Sequence, residues 1–266
     1  MKYNIFTVLN EAYEKFGILF VSSAIDRLNL DKIENIFIYD TGLTEKTISK
    51  LKLFEKVKII ESGLSVPKSE GKLHDAAWQK IVYSKANLLK HCVESQDNFL
   101  PTAMIDIDSI FVQEFYDLID VKSDLTLCRR STRGRGHSHQ AKSSHIGSFF
   151  SVNQRNEKTI NFLENWVSQI EKTAGVATTI IKDEQGNPEE KYMFQPKESP
   201  ALSHVYQELK EELKISEIAE PIISNIEPLP PREARIYHLK SDAQWPTIES
   251  RVFQPRASFY SKRYFL

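Results

Sequence analysis

The chain has 266 residues with a formal net charge of −1, and 41% of its residues are hydrophobic. This length and composition allow one well-packed core of a single α/β domain, and the near-neutral charge argues against general nucleic-acid binding. Only two cysteines, Cys92 and Cys128, are present, which argues against a disulfide framework and favours a reducing compartment. Because no signal peptide or membrane span is visible in the sequence, we expect a soluble, cytoplasmic protein.

The N-terminal part of the chain alternates between strand and helix patterns. Strands are predicted over 3–9, 35–39 and 57–60, and the helices between them over 16–28 and 44–53. Asp40-Thr41-Gly42 is a turn signal at the end of the second strand. This alternation is typical of a parallel sheet with right-handed crossovers.

A third helix is predicted over 75–92, and Lys85 falls within its apolar stripe. A lysine at such a position can extend its amine to solvent along a buried face. Alternatively, the amine reaches a phosphate or the carboxylates at the end of the following strand. The pattern leaves both interpretations open.

Two aspartates, Asp106 and Asp108, interrupt an apolar stretch that runs from 103 to 112. Their side chains point the same way if an extended strand continues that far. Adjacent carboxylates repel each other unless a cation joins them, and Mg²⁺ or Mn²⁺ prefers such oxygen ligands. Since open α/β sheets bind ligands at the carboxyl ends of their strands, the pair predicts a metal site for a diphosphate.

A basic loop follows the next predicted strand, 124–128. It runs from Arg129 to Lys142 and contains four arginines, one lysine and two histidines. Such a loop is commonly a solvated surface. We favour a phosphate or an anionic acceptor as its partner, and nucleic acid is less expected because no aromatic residues interleave the charges.

The strand predicted over 146–152 contains Gly147, and glycine within a strand often marks a close backbone approach. A helix over 156–173 and a polar, irregular segment over 174–195 follow, and the segment is read as a flap or an insertion.

Ser199 is predicted to cap the next helix, with Pro200 at its first position and Glu198 just outside. The apolar stripe of that helix continues to Leu213. A last strand is predicted over 234–238, and the aromatic tail over 243–266 is expected to pack on the body or to bind a partner.

The order of these motifs resembles the GT-A fold of nucleotide-sugar glycosyltransferases, such as glycogenin and lipopolysaccharide glycosyltransferases. The matching pieces are Thr7 with Asn10, Asp40 with Gly42, Lys85 with Leu88 and Leu89, Met104 to Ser109, Gly147 to Phe150, Glu198 to Leu202, and Ile236 to Lys240. The resemblance implies an α/β fold with a mixed, mainly parallel, Rossmann-like sheet flanked by helices. It also implies a single catalytic domain over 1–242, with the tail 243–266 packed on it.

The same resemblance implies a metal centre. Asp108 would bind the metal directly, Asp106 would bind the metal, the ribose or both, and His238 would be the third protein ligand. Mn²⁺ or Mg²⁺ would be the cofactor.

The resemblance further implies roles for residues around the metal. Glu198 would face the sugar hydroxyls or the acceptor, as the candidate base, and Lys85 would assist catalysis. The expected nucleotide-sugar-binding residues are Thr7, Asn10, Asp40, Gly42, Lys85, Asp106, Gly147 and Lys240, with Asp40 at the base or ribose and Lys240 at the departing diphosphate.

We therefore expect a hexosyltransferase that uses a UDP- or GDP-sugar and a glycan or anionic acceptor, in polysaccharide or lipopolysaccharide biosynthesis. The pattern leaves retaining and inverting chemistry open. One alternative is a nucleotidyltransferase of similar fold, although no glycine-rich phosphate loop follows the first strand. Another is a non-catalytic module that binds nucleic acid or anions through the loop from Arg129 to Lys142.

Overall fold

The computed structural model describes residues 1–64, 66, 76–130, 143–173, 178–182, 188–192, 198–220, 222–224 and 233–238. Three features of the sequence lie outside these residues: most of the basic loop (131–142), Lys240, and the tail 243–266. Their roles, and the division of the chain at residue 242, stay predictions.

The strands, numbered in chain order, are β1 Tyr3–Leu9, β2 Ile33–Asp40, β3 Val57–Glu61, β4 Thr102–Ile105, β5 Ser109–Phe111, β6 Leu125–Arg129, β7 His145–Val152, β8 Thr178–Lys182, β9 Pro188–Tyr192, β10 Ile215–Ala219, β11 Ile223–Ser224 and β12 Ile236–His238. The α-helices are α1 Glu14–Arg27, α2 Glu45–Leu51, α3 Ala76–Glu94, α4 Glu157–Thr173 and α5 Glu198–Leu209. Short 3₁₀ turns occur at Glu11–Tyr13, Leu30–Lys32 and Tyr116–Leu118.

Seven strands form the main sheet, in the order β10-β6-β7-β4-β1-β2-β3. The pairs β1–β2, β2–β3, β1–β4 and β6–β10 are parallel, whereas β7 is antiparallel to both of its neighbours, β4 and β6. The expected mixed, mainly parallel sheet is therefore confirmed. A smaller sheet, β11-β12-β5, adjoins it.

Helices cover both faces of the main sheet, so alternate residues of a central strand enter different cores. In β1, Ile5 and Leu9 belong to the core that includes α1, whereas Phe6 and Val8 belong to the core formed with α3, α4 and α5. This burial on both faces explains why the central strands are nearly continuous apolar runs. Within the described residues, no helix has the length and apolar composition that crossing a membrane requires.

The structure differs from the expectation at the aspartate pair. Strand β4 ends at Ile105, so Asp106 and Asp108 occupy a turn rather than one continuous strand. The backbone N–H of Ser109 donates to the Asp106 carbonyl at 3.1 Å and closes this turn. The chain leaves the main sheet here because the next strand, β5, pairs with β12.

Three further predictions around α5 need correction. The helix begins at Glu198, so Ser199 lies within its first turn rather than at its N-cap, and it ends at Leu209, before the predicted Leu213. The segment read as irregular contains an antiparallel pair, β8 with β9. The short β-branched run of β8 stands among polar residues and a turn, and β9 is mostly polar, so the segment gave no clear strand signal.

Candidate metal and nucleotide-sugar site

Three potential metal ligands converge at the edge where β4 ends. Asp106, Asp108 and His238 each offer one ligand atom, and these atoms all lie within 4.8 Å of one another. His238 Nε2 lies 2.9 Å from Asp108 Oδ1 and 3.6 Å from Asp106 Oδ2. Two carboxylates and an imidazole form a donor set that suits Mn²⁺ or Mg²⁺.

Long-range backbone pairing brings these residues together. In the antiparallel pairing of β12 with β5, His238 lies opposite Ser109, next to Asp108. The N–H of Asp106 donates to the carbonyl of Ser148 in β7 at 3.1 Å. Thus the main sheet holds one aspartate, and the small sheet brings the histidine to the other.

Lys85, from α3, bridges two carboxylates beside the metal ligands. Its Nζ lies 2.6 Å from Asp106 Oδ1 and 3.0 Å from Glu198 Oε1. Only 9% of the residue is exposed. Burial opposes its charge, but the two carboxylates outweigh burial and raise the pKa of the ammonium. Of the two interpretations of Lys85, the structure therefore has the amine at the carboxylates.

Glu198, at the start of α5, is 7% exposed and packs against Gly147. A Cβ at position 147 would lie 2.6 Å from the Glu198 carboxyl carbon, so only glycine leaves room for this carboxylate. Burial raises the pKa of Glu198 to about 7, with Asp106 acting in the same direction and Lys85 and His238 opposing it. The site thus contains a carboxyl group that titrates near neutral pH.

The ends of β1 and β2 place Asn10 and Asp40 side by side at the same edge of the sheet. Asn10 Oδ1 accepts a hydrogen bond from the Tyr13 N–H at 3.3 Å. Asp40 Oδ1 accepts from the N–H groups of Gly42 and Leu43 at 2.8 and 2.7 Å. Gly42 adopts φ +118°, which favours glycine, so this turn is locally determined.

Of the remaining predicted residues, Thr7 is buried inside β1, two residues before the strand end. Its hydroxyl has no hydrogen-bond partner among the described residues. Ser148 and Ser199 lie in quoted motifs, but the sequence did not predict that the Ser148 carbonyl holds Asp106 or that Ser199 bonds to Gly147. Both are contacts between a side chain or backbone group and a distant backbone, for which the sequence offers no local signal.

No protein-family model matches the chain, and no curated protein matches it by sequence. Solved structures do match. The glycosyltransferase GlyE of Streptococcus pneumoniae TIGR4 aligns with a TM-score of 0.56 and 13% identity, over 98% of this chain and 60% of that one. Its apo form aligns with a TM-score of 0.51 and 11% identity, over 86% of this chain and 47% of that one. The chain thus spans about half to three fifths of GlyE.

The galactosyltransferase LgtC matches over nearly its whole length. Its complex with donor and acceptor sugar analogues aligns with a TM-score of 0.54 and 9% identity, over 96% of this chain and 95% of that one. An active-site mutant of LgtC gives a TM-score of 0.55 with 11% identity. These likenesses show that the chain has the GT-A glycosyltransferase fold, as the sequence motifs implied, and that the matched structures are glycosyltransferases.

Proposed function

We propose that this GT-A protein is a metal-dependent glycosyltransferase that moves a hexose from a UDP- or GDP-sugar to a hydroxyl of a glycan acceptor. The observation that carries the proposal is the convergence of Asp106, Asp108 and His238 at the edge of the sheet. LgtC has been solved with donor and acceptor sugar analogues, so its fold is compatible with this chemistry. We further propose polysaccharide or lipopolysaccharide biosynthesis in the cytoplasm as the setting.

The chemistry of the donor set fits a divalent cation, Mn²⁺ or Mg²⁺. Asp108 and His238 would hold it together with Oδ2 of Asp106, because Oδ1 of that aspartate faces Lys85. A cation bound there supplies Lewis-acid stabilisation of the diphosphate leaving group. Without a cation, two close carboxylates at this edge would repel each other, so the arrangement is suited to binding one.

Lys85 has a positioning role in this proposal. Its charge is already balanced by Asp106 and Glu198, at 2.6 and 3.0 Å. The lysine therefore orients one metal ligand and one carboxylate of the sugar pocket, rather than supplying an unbalanced charge to the diphosphate. We assign the neutralisation of the departing diphosphate to Lys240, which follows His238 by two residues.

Glu198 is the group that we assign to the hydroxyls of the transferred sugar or the acceptor. It is held between Lys85 and Gly147, next to the metal ligands. With a pKa of about 7, it exchanges a proton near neutral pH, as a base must if the acceptor attacks opposite the leaving group.

The nucleoside end of the donor is assigned to the ends of β1 and β2. There Asn10 and the turn from Asp40 to Gly42 form adjacent polar groups at the carboxyl ends of parallel strands. Thr7 lies beneath them in β1. Open α/β sheets bind their ligands at such edges.

A donor screen tests the proposal. Purified protein would be incubated with a panel of UDP- and GDP-hexoses, with Mn²⁺ or with EDTA, and release of the nucleoside diphosphate would be measured. We expect release from one donor with Mn²⁺ only, and a loss of about 100-fold or more in Asp108→Ala.

Asp117→Ala is the matched control, since Asp117 is an exposed aspartate paired with Arg235 at 3.3 Å, and it should behave like the wild type. The proposal is wrong if the wild type releases nothing from any donor, or if Asp108→Ala is as active as the wild type.

A further inference from the structure

We propose that Ser199 is a positioning residue, whose hydroxyl fixes the start of α5 against β7 and so sets the place of the Glu198 carboxylate. The inference rests on the proposed sugar transfer and gives Ser199 a role that the sequence motifs do not assign to it.

Strand β7 bulges next to the site. Its register with β6 shifts from Leu127 opposite Phe150 to Cys128 opposite Ile146, so residues 147–149 have no partner on β6. On the other side, the pairing with β4 extends only as far as Phe149. The N–H of Gly147 is therefore left without a strand partner, and it donates to Ser199 Oγ at 3.0 Å.

The same bulge also anchors the metal site. The carbonyl of Ser148, one residue after Gly147, accepts the N–H of Asp106 at 3.1 Å. Two consecutive residues of β7 thus hold the start of α5 and the first metal ligand. The side chain of Lys85 joins the same two residues, because its Nζ lies 2.6 Å from Asp106 Oδ1 and 3.0 Å from Glu198 Oε1.

These contacts form a closed ring from Asp106 through Lys85, Glu198 and Ser199 to the bulge and back. The hydrogen bond from the Gly147 N–H to Ser199 Oγ closes this ring, and it sets how closely Glu198 approaches the backbone of Gly147. That approach leaves little tolerance, because a single added methyl group would lie 2.6 Å from the carboxyl carbon.

Two other side chains also hold α5. Trp166 Nε1 donates to the Glu198 carbonyl at 3.1 Å, from the α4 side. Ser203, one helical turn after Ser199, accepts the His145 N–H at 3.2 Å and donates to the Ser199 carbonyl at 2.8 Å. Ser203 makes the same kind of bond to β7, away from the carboxylate, and is therefore a matched control.

The test compares Ser199→Ala and Ser203→Ala by kcat, KM and melting temperature, with the donor found in the screen and Mn²⁺. Both variants leave a β7 N–H unsatisfied, so both should lose a few degrees in Tm. Ser199→Ala should lower kcat by about 10-fold or more, because small misplacements of a catalytic group are costly. Its affinity for nucleoside diphosphate with Mn²⁺ should be unchanged, and Ser203→Ala should keep kcat within about 2-fold of the wild type.

A second pair separates the hydroxyl from the bulk of the side chain. Thr and Val have nearly the same shape, so Ser199→Thr should recover most of kcat, whereas Ser199→Val should not. The inference is overturned if Ser199→Ala has wild-type kcat, if Ser203→Ala loses as much kcat, or if Ser199→Val fails to fold while Ser199→Thr folds. In contrast, an inactive wild type would show that the proposed function itself has failed.

Discussion

Two polar regions lie at the same edge of the sheet and are built in different ways. At the ends of β1 and β2, Asn10 and Asp40 bond to backbone groups two or three residues away. Around the end of β4, Lys85 joins Asp106 and Glu198, and His238 meets Asp108 across 130 residues of sequence. The first region is made by local turns, and the second by contacts between distant elements.

The difference indicates how each region works. A local turn presents its backbone and side chain to a ligand whatever the rest of the fold does. The charged groups of the second region are buried or partly buried, so each needs its partners, and removing one leaves the others uncompensated. We therefore expect substitutions around the end of β4 to change stability and kcat strongly, and substitutions at the ends of β1 and β2 to change them little.

The largest effect on stability is expected from Lys85→Met in the metal-free protein. The substitution leaves the buried Glu198 carboxylate and the partly buried Asp106 carboxylate without their cation, which should lower the free energy of unfolding by about 3 kcal/mol. Lys90→Met on the same helix is the control, because Lys90 pairs with the exposed Glu164 at 3.0 Å. Its cost should stay below about 1 kcal/mol. The free energies of unfolding would be measured by urea denaturation. If Lys85→Met and Lys90→Met lower them equally, the ion pairs of Lys85 are no more important for stability than the exposed pair of Lys90.

Gly147→Ala should cost about 2 kcal/mol, and it should also lower kcat, because the new methyl group displaces the Glu198 carboxylate. Gly17→Ala in α1 is the control. A Cβ there would lie 2.3 Å from Leu9 Cδ2, so it too must displace a neighbour, but one in the hydrophobic core. Gly17→Ala should therefore lose stability and keep its kcat. If both variants keep full kcat, the position of Glu198 does not matter for the reaction.

The raised pKa of Glu198 predicts a pH dependence of stability. The folded protein binds this proton with a pKa of about 7, compared with an ordinary value of 4.5. The protonated folded state is therefore favoured at low pH, and the stabilisation is lost as the pH rises from 4.5 through 7. The Glu198→Gln variant has no carboxyl group at this position, so it lacks this contribution to the pH dependence of stability.

Urea denaturation in EDTA at pH 5 and pH 7.5 would measure the effect. Relative to Glu198→Gln, the wild type should lose on the order of 2 kcal/mol between these pH values. Parallel pH profiles of the two proteins would show that the carboxyl has an ordinary pKa.

The smallest effect is expected in the first region. Asp40→Ala removes the acceptor of two turn hydrogen bonds and should cost about 1 kcal/mol. It should raise the KM for the donor several-fold with little change in kcat. Asp40→Asn keeps the acceptor oxygen of the turn and should recover the stability. If Asp40→Ala instead loses as much kcat as Gly147→Ala, Asp40 takes part in the reaction as directly as the residues around the end of β4.

The sequence predicted most of the fold because its strands and helices have strong periodic patterns. The alternation of β1 to β3 with α1 and α2 gave a parallel sheet, and the motif order gave the GT-A fold. Strands β10 and β11 were missed because both are short and partly polar, and β10 begins only two residues after the predicted α5 stripe ends at Leu213. The β8–β9 pair was missed for a similar reason.

For the site, the residue types were predictable but their arrangement was not. The aspartates, Lys85 and Glu198 were identified by motif and by position at element ends. That Lys85 touches both carboxylates depends on how α3 and α5 pack into the same core on one face of the sheet. The role of Ser199 depends on a bulge in β7, and no local pattern in the sequence encodes its hydrogen bond.

The central claim is that Asp106, Asp108 and His238 hold a cation that also binds the diphosphate of the donor. Calorimetric titration of Mn²⁺ into the protein, with and without UDP or GDP, tests this coupling directly. The account predicts that one of the two nucleotides tightens Mn²⁺ binding by about 10-fold or more, and that Asp108→Ala abolishes this gain. An affinity for Mn²⁺ that is the same with and without either nucleotide would contradict it.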